Sequence, residues 1–154
     1  MLFLPDEAKF IQLLPPSEDA LSGSVTTDVV SLIDYNKGLF LIELGDGATG
    51  QSTITLESSA ANDGADPTAL PFRYKTSDAD GTNLSDWQEA TVAGAATPTG
   101  GNKLMLIEAR TDALPSGKPW VHLKGVESVD SPVAASILAI LYAGRYQGDL
   151  PDAV

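Results

Sequence analysis

The chain of 154 residues contains 43% hydrophobic and 19% charged residues, a balance typical of a single globular domain with its own core. Its formal net charge of −12 argues against nucleic acid as a partner, because binding to phosphates depends on Lys and Arg. The absence of cysteine excludes disulfides and thiolate sites. The longest apolar run, residues 133–143, is shorter than the about 20 residues that span a membrane.

Residues 1–24 are predicted to form an extended N-terminal arm. Three prolines and the run Ser22-Gly23-Ser24 interrupt regular structure before any strand pattern begins. The arm is too apolar to be an idle tail, so we expect it to lie against its own domain or against a neighbouring molecule. Its apolar residues include Leu2, Phe3, Leu4 and Phe10.

Residues 25–146 are predicted to form an antiparallel β-sandwich, jelly-roll-like, with about eight strands. Short β-favouring segments alternate there with clusters of Gly, Pro, Asn and Asp. The predicted strands are Thr26 to Ile33, Leu39 to Leu44, Ser52 to Ser58, Leu70 to Thr76, Asp86 to Val92, Leu104 to Arg110, Trp120 to Gly125 and Ala135 to Tyr142. The last is ambiguous, because Ala and Leu favour helix while the strand-rich context favours β. Residues 147–154 are predicted to be a short acidic tail.

One predicted strand lacks the usual alternation of apolar and polar residues. In Ser52 to Ser58, Ile54 and Leu56 alternate with Thr and Glu, whereas Leu39-Phe40-Leu41-Ile42 is continuously apolar. A strand that is apolar on both faces must be covered on both, by a second sheet and by an arm or another subunit. Phe40 therefore joins Leu2, Phe3, Leu4 and Phe10 as a candidate contact with another subunit or another protein.

No residue pattern indicates an enzyme, and we predict neither catalytic residues nor a cofactor. His122 is the only histidine, and its place on the more polar face of a strand suggests an ordinary surface residue. Ser22-Gly23-Ser24 does not form a nucleophile elbow. A glycosidase needs two paired carboxylates, and nothing singles out any pair among the strand glutamates. These glutamates are Glu43, Glu57, Glu89 and Glu108.

A metal site is not predicted either. The run that begins at Asp78 and ends at Asn83 has alternating oxygen ligands before Gly81, as calcium loops do. With Gly81 at the sixth loop position, however, Thr76 and Trp87 stand where Asp and Glu are required. We interpret this segment as a solvated turn.

Several segments resemble small structural proteins of tailed bacteriophages. The resemblance is carried by Val25 to Leu32 with Tyr35, by Ile54-Thr55-Leu56-Glu57 and by Ala69 to Tyr74. It continues in Lys103 to Glu108 and in Ile140 to Tyr146, so that it covers roughly residues 25–146. The N-terminal arm and the acidic tail depart from the pattern.

The resemblance implies a capsid decoration protein, also called a cement protein, with a compact β-fold. Such a protein forms homotrimers, is made in the host cytoplasm and sits on the outer capsid surface, where its partners are the major capsid protein and its own copies. No catalytic residues come with the resemblance. Two alternatives stay open: a carbohydrate-binding or host-adhesion module that uses Trp87 or Trp120 as a stacking platform, and a tail or neck component.

Overall fold

The computed structural model describes residues 8–46, 49–79 and 81–144. The predicted contacts Leu2, Phe3 and Leu4 and the predicted tail, 147–154, lie outside this part of the chain. The described residues form twelve strands and one 3₁₀ turn, Thr111–Ala113, and contain no helix that is long and apolar enough to cross a membrane. The strands are β1 Lys9–Ser17, β2 Ser24–Thr26, β3 Val30–Ser31, β4 Tyr35–Leu44, β5 Gln51–Ser59, β6 Thr68–Leu70, β7 Phe72–Thr76, β8 Gln88–Ala90, β9 Ala95–Ala96, β10 Lys103–Arg110, β11 Trp120–Val129 and β12 Ala135–Gly144.

The strands build two antiparallel sheets that pack together, which confirms the predicted β-sandwich. Sheet A has the order β1-β12-β4-β10-β7-β8, and sheet B has the order β2-β11-β5-β6, with β3 paired to β11 and β9 paired to β5. The chain changes sheets at most of its long connections, and its first and last strands are neighbours in sheet A. The sets β1-β12-β4-β10 and β2-β11-β5-β6 form the two sheets of a jelly roll.

The core lies between the sheets and follows from the period of two along each strand. In β5 every second side chain from Ser52 to Ser58 is buried, and in β12 the same is true from Ala135 to Leu141. The last predicted segment, which was ambiguous between helix and strand, is therefore a strand. Its alternate side chains enter the core, and its backbone pairs with both β1 and β4. Fully buried side chains of the core are Phe40, Ile42, Met105, Ile107, Ile137 and Leu141 from sheet A, and Ile54, Leu56, Val121 and Leu123 from sheet B.

Part of the predicted arm belongs to the sandwich. Lys9–Ser17 forms β1, an edge strand paired with β12, and Leu13 from this strand is buried in the core. Pro15 and Pro16 do not prevent the strand because an edge strand has one side without ladder hydrogen bonds, and the register with β12 shifts between Leu14 and Ser17. From Lys9 onward, therefore, the segment assigned to an arm lies against its own domain.

Two predicted strands are each divided in the structure. Leu70 to Thr76 breaks at Pro71, with β6 in sheet B before it and β7 in sheet A after it. Proline lacks the N–H that a continuous central strand would donate, so this position suits a change of sheet. Thr26 to Ile33 includes the last residue of β2 and all of β3, and these two strands both pair with β11.

Phe40 is a core residue of the single chain and not a contact residue. Its exposed fraction is 0%, because the even positions of the central part of β4 face sheet B. The prediction that Phe40 itself touches a capsid or another subunit is therefore corrected. The second apolar face of β4 is formed by its neighbours Leu39 and Leu41, which are half-buried.

We expect Phe40→Ala to lower the free energy of unfolding by about 3–5 kcal/mol, because it leaves a cavity in a closely packed core. Phe10→Ala is the matched control: Phe10 is 50% exposed, and its loss should cost less than about 1 kcal/mol. Chemical denaturation followed by circular dichroism measures both values. Equal losses in the two variants would contradict this assignment of Phe40.

Candidate interaction surface

The outward face of sheet A is apolar at its centre. Its side chains lie opposite one another across four adjacent strands: Phe10 faces Ile140, which faces Leu39, while Leu138 faces Leu41, which faces Leu106. Such cross-strand neighbours on one face contact each other directly. None of these side chains packs against the core that the described residues form. We call the following seven residues the outer patch: Phe10, Leu39, Leu41, Leu104, Leu106, Leu138 and Ile140.

The outer patch is large enough to matter for association. At about 3.4 Å per residue and about 4.8 Å between strands, the six strands give this face an area of about 700 Å², of which the outer patch covers about a third. A specific interface of ordinary size buries about 800 Å² on each partner. The whole face therefore has the dimensions of a protein interface, with its apolar part in the middle as interfaces have.

A polar cluster borders the outer patch on the β7 and β8 side. Arg73 Nη2 donates hydrogen bonds to both carboxylate oxygens of Glu108, at 3.0 and 3.2 Å. The Arg73 guanidinium carbon lies 4.8 Å from the ring centroid of Trp87, and Lys75 Nζ lies 5.1 Å from it. The side chain of Glu108 is 4% exposed and that of Arg73 is 35% exposed. Trp and Arg are the residue types that most often dominate binding energy in protein interfaces.

Tyr142 lies on the same face, opposite Lys37. Burial raises the pKa of its phenol, the Glu108 carboxylate raises it further, and Arg73 acts in the opposite direction. Tyr142 is half-buried on β12, with β4 between it and Glu108 on β10. The cluster therefore joins a tyrosine, a tryptophan and a desolvated ion pair beside an apolar surface.

The structure places two of the predicted contact residues in different environments. Phe10 lies in the outer patch, and Phe40 lies in the core. Sequence reasoning did not identify Leu104, Leu106, Leu138 and Ile140. The signal was present, because Leu104 to Ile107 and Ile137 to Tyr142 are continuously apolar in the same way as Leu39 to Ile42.

His122 is buried and not a surface residue as predicted. Its side chain is 2% exposed, and its Nε2 lies 3.0 Å from Oε2 of Glu57, the residue opposite it on β5. The segment around Gly64 covers the imidazole on the outer side of sheet B. A histidine held by a carboxylate supplies two of the three members of a catalytic triad. Among the described residues, however, no nucleophile makes a hydrogen bond with its other nitrogen, Nδ1. The pair joins β11 to β5 out of reach of a substrate.

Two of the four strand glutamates considered for a glycosidase are bound by other side chains, and the other two lie far apart. Glu57 and Glu108 are held by His122 and Arg73. Glu43 on β4 and Glu89 on β8 are exposed, and they are separated by three strand spacings across the sheet and by four residues along the strands, about 20 Å in total.

The segment examined for calcium is built as a turn. The carboxylate of Asp78 accepts hydrogen bonds from Thr82 N at 3.1 Å and from Asn83 Nδ2 at 2.7 Å. Asp80 lies outside the described residues. Within 8–46, 49–79 and 81–144, no group of three or more His, Asp or Glu side chains is arranged to hold a metal ion.

Removal of Arg73 should destabilise the protein, because it leaves the Glu108 carboxylate buried without its ion pair. For Arg73→Ala we expect a loss of about 1–3 kcal/mol in the free energy of unfolding, at the lower end because Arg73 is partly in water. Arg73→Ala combined with Glu108→Leu should recover part of that loss, since no charge is then left buried. Arg110→Ala, which breaks the exposed pair with Asp112, is the control and should have no measurable effect. No recovery in the double variant would contradict this reading of the pair.

Tyr142 should make the stability sensitive to alkaline pH. A pKa that is raised in the folded state means that the fold favours the neutral phenol. This contribution is fully present below the ordinary tyrosine pKa of 10.0 and is lost as the pH rises through the folded pKa. Urea denaturation between pH 8 and about pH 11 should therefore show a steeper loss for the natural chain than for Tyr142→Phe. Parallel curves would show that Tyr142 contributes nothing to the dependence.

Comparison with known proteins gives a likeness in fold. No family model matches the chain, and no curated protein matches it in sequence. Among solved structures, the chain is similar to the SPBc2 prophage-derived protein YomS, with a TM-score of 0.54 and 10% sequence identity over 89% of this chain and 94% of that chain. At this identity the likeness shows that the two proteins share their fold over nearly their whole lengths.

Proposed function

We propose that this chain is a structural protein of a phage virion, which binds the outside of the capsid as a decoration protein and stabilises the shell through protein–protein contacts. The observation that supports an assembling role, as opposed to an enzymatic one, is the outer patch with its border of Trp87, Arg73 and Tyr142. An apolar sheet face with such a border matches the anatomy of protein interfaces. A flat face spread over several strands also suits a protein better than a small molecule, which binds in a concavity.

The assignment to a phage virion has two supports. Residues 25–146 resemble small structural proteins of tailed phages, and the whole described fold is similar to a prophage-derived protein. Fold alone does not determine function, so the proposal depends on the two together with the outer patch. In this role three copies would form one unit on a local threefold position of the outer capsid surface, with the major capsid protein beneath.

The carbohydrate-binding or adhesion alternative has less support in the site. A stacking platform needs an aromatic ring whose face is open to a sugar. Arg73 and Lys75 both lie over the ring of Trp87, and Trp120 is partly buried on β11 between β3 and β5.

Immunogold labelling of virions of the phage that encodes this chain tests the proposal. We expect gold on the head, in many copies, and heads without the protein should break at a lower temperature than complete heads. Labelling of the neck or tail would assign the chain to those parts instead. Virions without label would overturn a virion role altogether, and selective binding on a glycan array would then favour adhesion.

The apolar start of the chain gives a separate prediction. We expect the full chain to sediment with heads stripped of it, and a chain that lacks residues 1–7 to sediment at least tenfold less, because Leu2, Phe3 and Leu4 supply part of the contact. This deletion removes no described residue, whereas deletion of 1–14 would remove most of β1 and the buried Leu13. A chain with Leu2, Phe3 and Leu4 replaced by serine is the matched control for length. Undiminished sedimentation of both variants would refute a role of the arm in head binding.

A further inference from the structure

The outer patch is a face without a partner inside the chain. In the described residues, sheet A is covered on its inner side by sheet B, and its outer side carries seven apolar residues that touch no second layer. Contiguous apolar patches of a few hundred Å² on soluble proteins commonly mark interaction sites. The question is which molecule covers this one.

Charge indicates the occupant. The outward face of sheet A carries four Lys and Arg against three Glu, a balance of +1: Lys37, Arg73, Lys75 and Arg110 against Glu43, Glu89 and Glu108. The full chain has nine Lys and Arg against 21 Asp and Glu, so the remainder has five against 18, a balance of −13. Two copies that approach by other surfaces bring like charges together, which opposes association. Sheet A is the region where this repulsion is absent.

The charges on the face are also mixed along its length. Lys37 and Glu43 lie at opposite ends of the outward row of β4, six residues or about 20 Å apart. Lys75 and Glu89 lie at the β7 and β8 border. When two copies turn this face toward one another, the positive and negative side chains of one copy can pair with those of the other around the apolar centre. A uniformly basic or acidic partner could pair with only one of the two kinds of charge.

We infer that the outer patch is the contact between copies of this chain, so that the subunits of the assembled unit meet through the outward face of sheet A. This inference rests on the proposed function as an assembling protein and names the partner of its main surface. It leaves the loops, the outer side of sheet B and the start of the chain for the capsid. The area of the face also agrees with contact between copies, because it is close to the about 800 Å² of surface that each partner buries in a specific interface.

Light scattering tests the inference on the full chain. We expect the natural protein to have a mass that is a multiple of 16.1 kDa, and Leu41→Asp to be a folded monomer. Two faces that meet across a twofold axis give twice this mass, whereas in a threefold unit, with three times this mass, each face contacts a different surface of the next copy. Val92→Asp, at an exposed apolar position outside sheet A, is the matched control and should keep the natural mass. A natural protein that is monomeric at every concentration, or a Leu41→Asp variant that is folded and keeps its mass, would overturn the inference.

A second measurement applies if Leu41→Asp does not fold. The chain contains no cysteine, so a single Leu41→Cys substitution, which is mild in size, reports on this face alone. We expect its thiol to react with a maleimide at least tenfold more slowly than that of Thr55→Cys, which is outward on sheet B, and we expect dilution to remove the protection. Equal reactivity at high concentration would contradict a covered face.

The same variants separate this inference from the proposed capsid role. If Leu41→Cys and the natural chain are both monomers with open patches, and blocking the thiol abolishes head binding, the patch contacts the capsid and the self-contact is wrong while the proposed function stands. If the natural chain is an oligomer through this face but labels no virion, the self-contact stands and the proposed function fails.

Discussion

The structure depends on one feature: the central strands of sheet A carry apolar side chains on both faces. β4 lies between β12 and β10, and all three carry apolar residues at consecutive positions. Their inward side chains, such as Phe40 and Ile107, are fully buried against sheet B, and this burial stabilises the sandwich. Their outward side chains have no such layer. The same strands that build the core with their inward residues therefore present an apolar surface with their outward residues.

The polar border of the outer patch limits where a partner can sit. Glu108 is desolvated at the edge of the patch, and its charge is tolerated because both of its carboxylate oxygens accept hydrogen bonds from Arg73 Nη2. Arg73 is in turn held beneath Trp87, which also faces Lys75. Contacts of this kind restrict the side chains of the free protein, which reduces the entropy lost when a partner binds. The face thus combines a polar border of mutually contacting side chains with an apolar centre.

The fold class and most strands could be predicted from the sequence, because the period of two and the turn residues are local signals. β1 could not, since Pro15 and Pro16 argue against a strand unless one knows that it lies at a sheet edge. The prediction that His122 lies on the surface was wrong. Alternation shows on which face of the strand a side chain lies, but it does not show whether another segment covers that face. The wrong prediction for Phe40 has a related cause. The run Leu39 to Ile42 indicates that both faces of the strand are apolar, but only the pairing with β12 and β10 shows which residues lie on the inward face and which on the outward face.

The edges of the two sheets explain why association should use a face. β2, β6 and β8 each have only three residues, too few to template a long added strand, and β1 carries two prolines and an irregular register. Short strands, prolines and bulges are the features by which β-proteins prevent other chains from pairing with their edges. Growth by strand addition is thereby disfavoured at all four edges, while the outward face of sheet A remains apolar. The edges that the described residues form therefore disfavour contacts through backbone hydrogen bonds, which any extended chain can supply, and favour contacts through side chains, whose shape and charge select a particular partner.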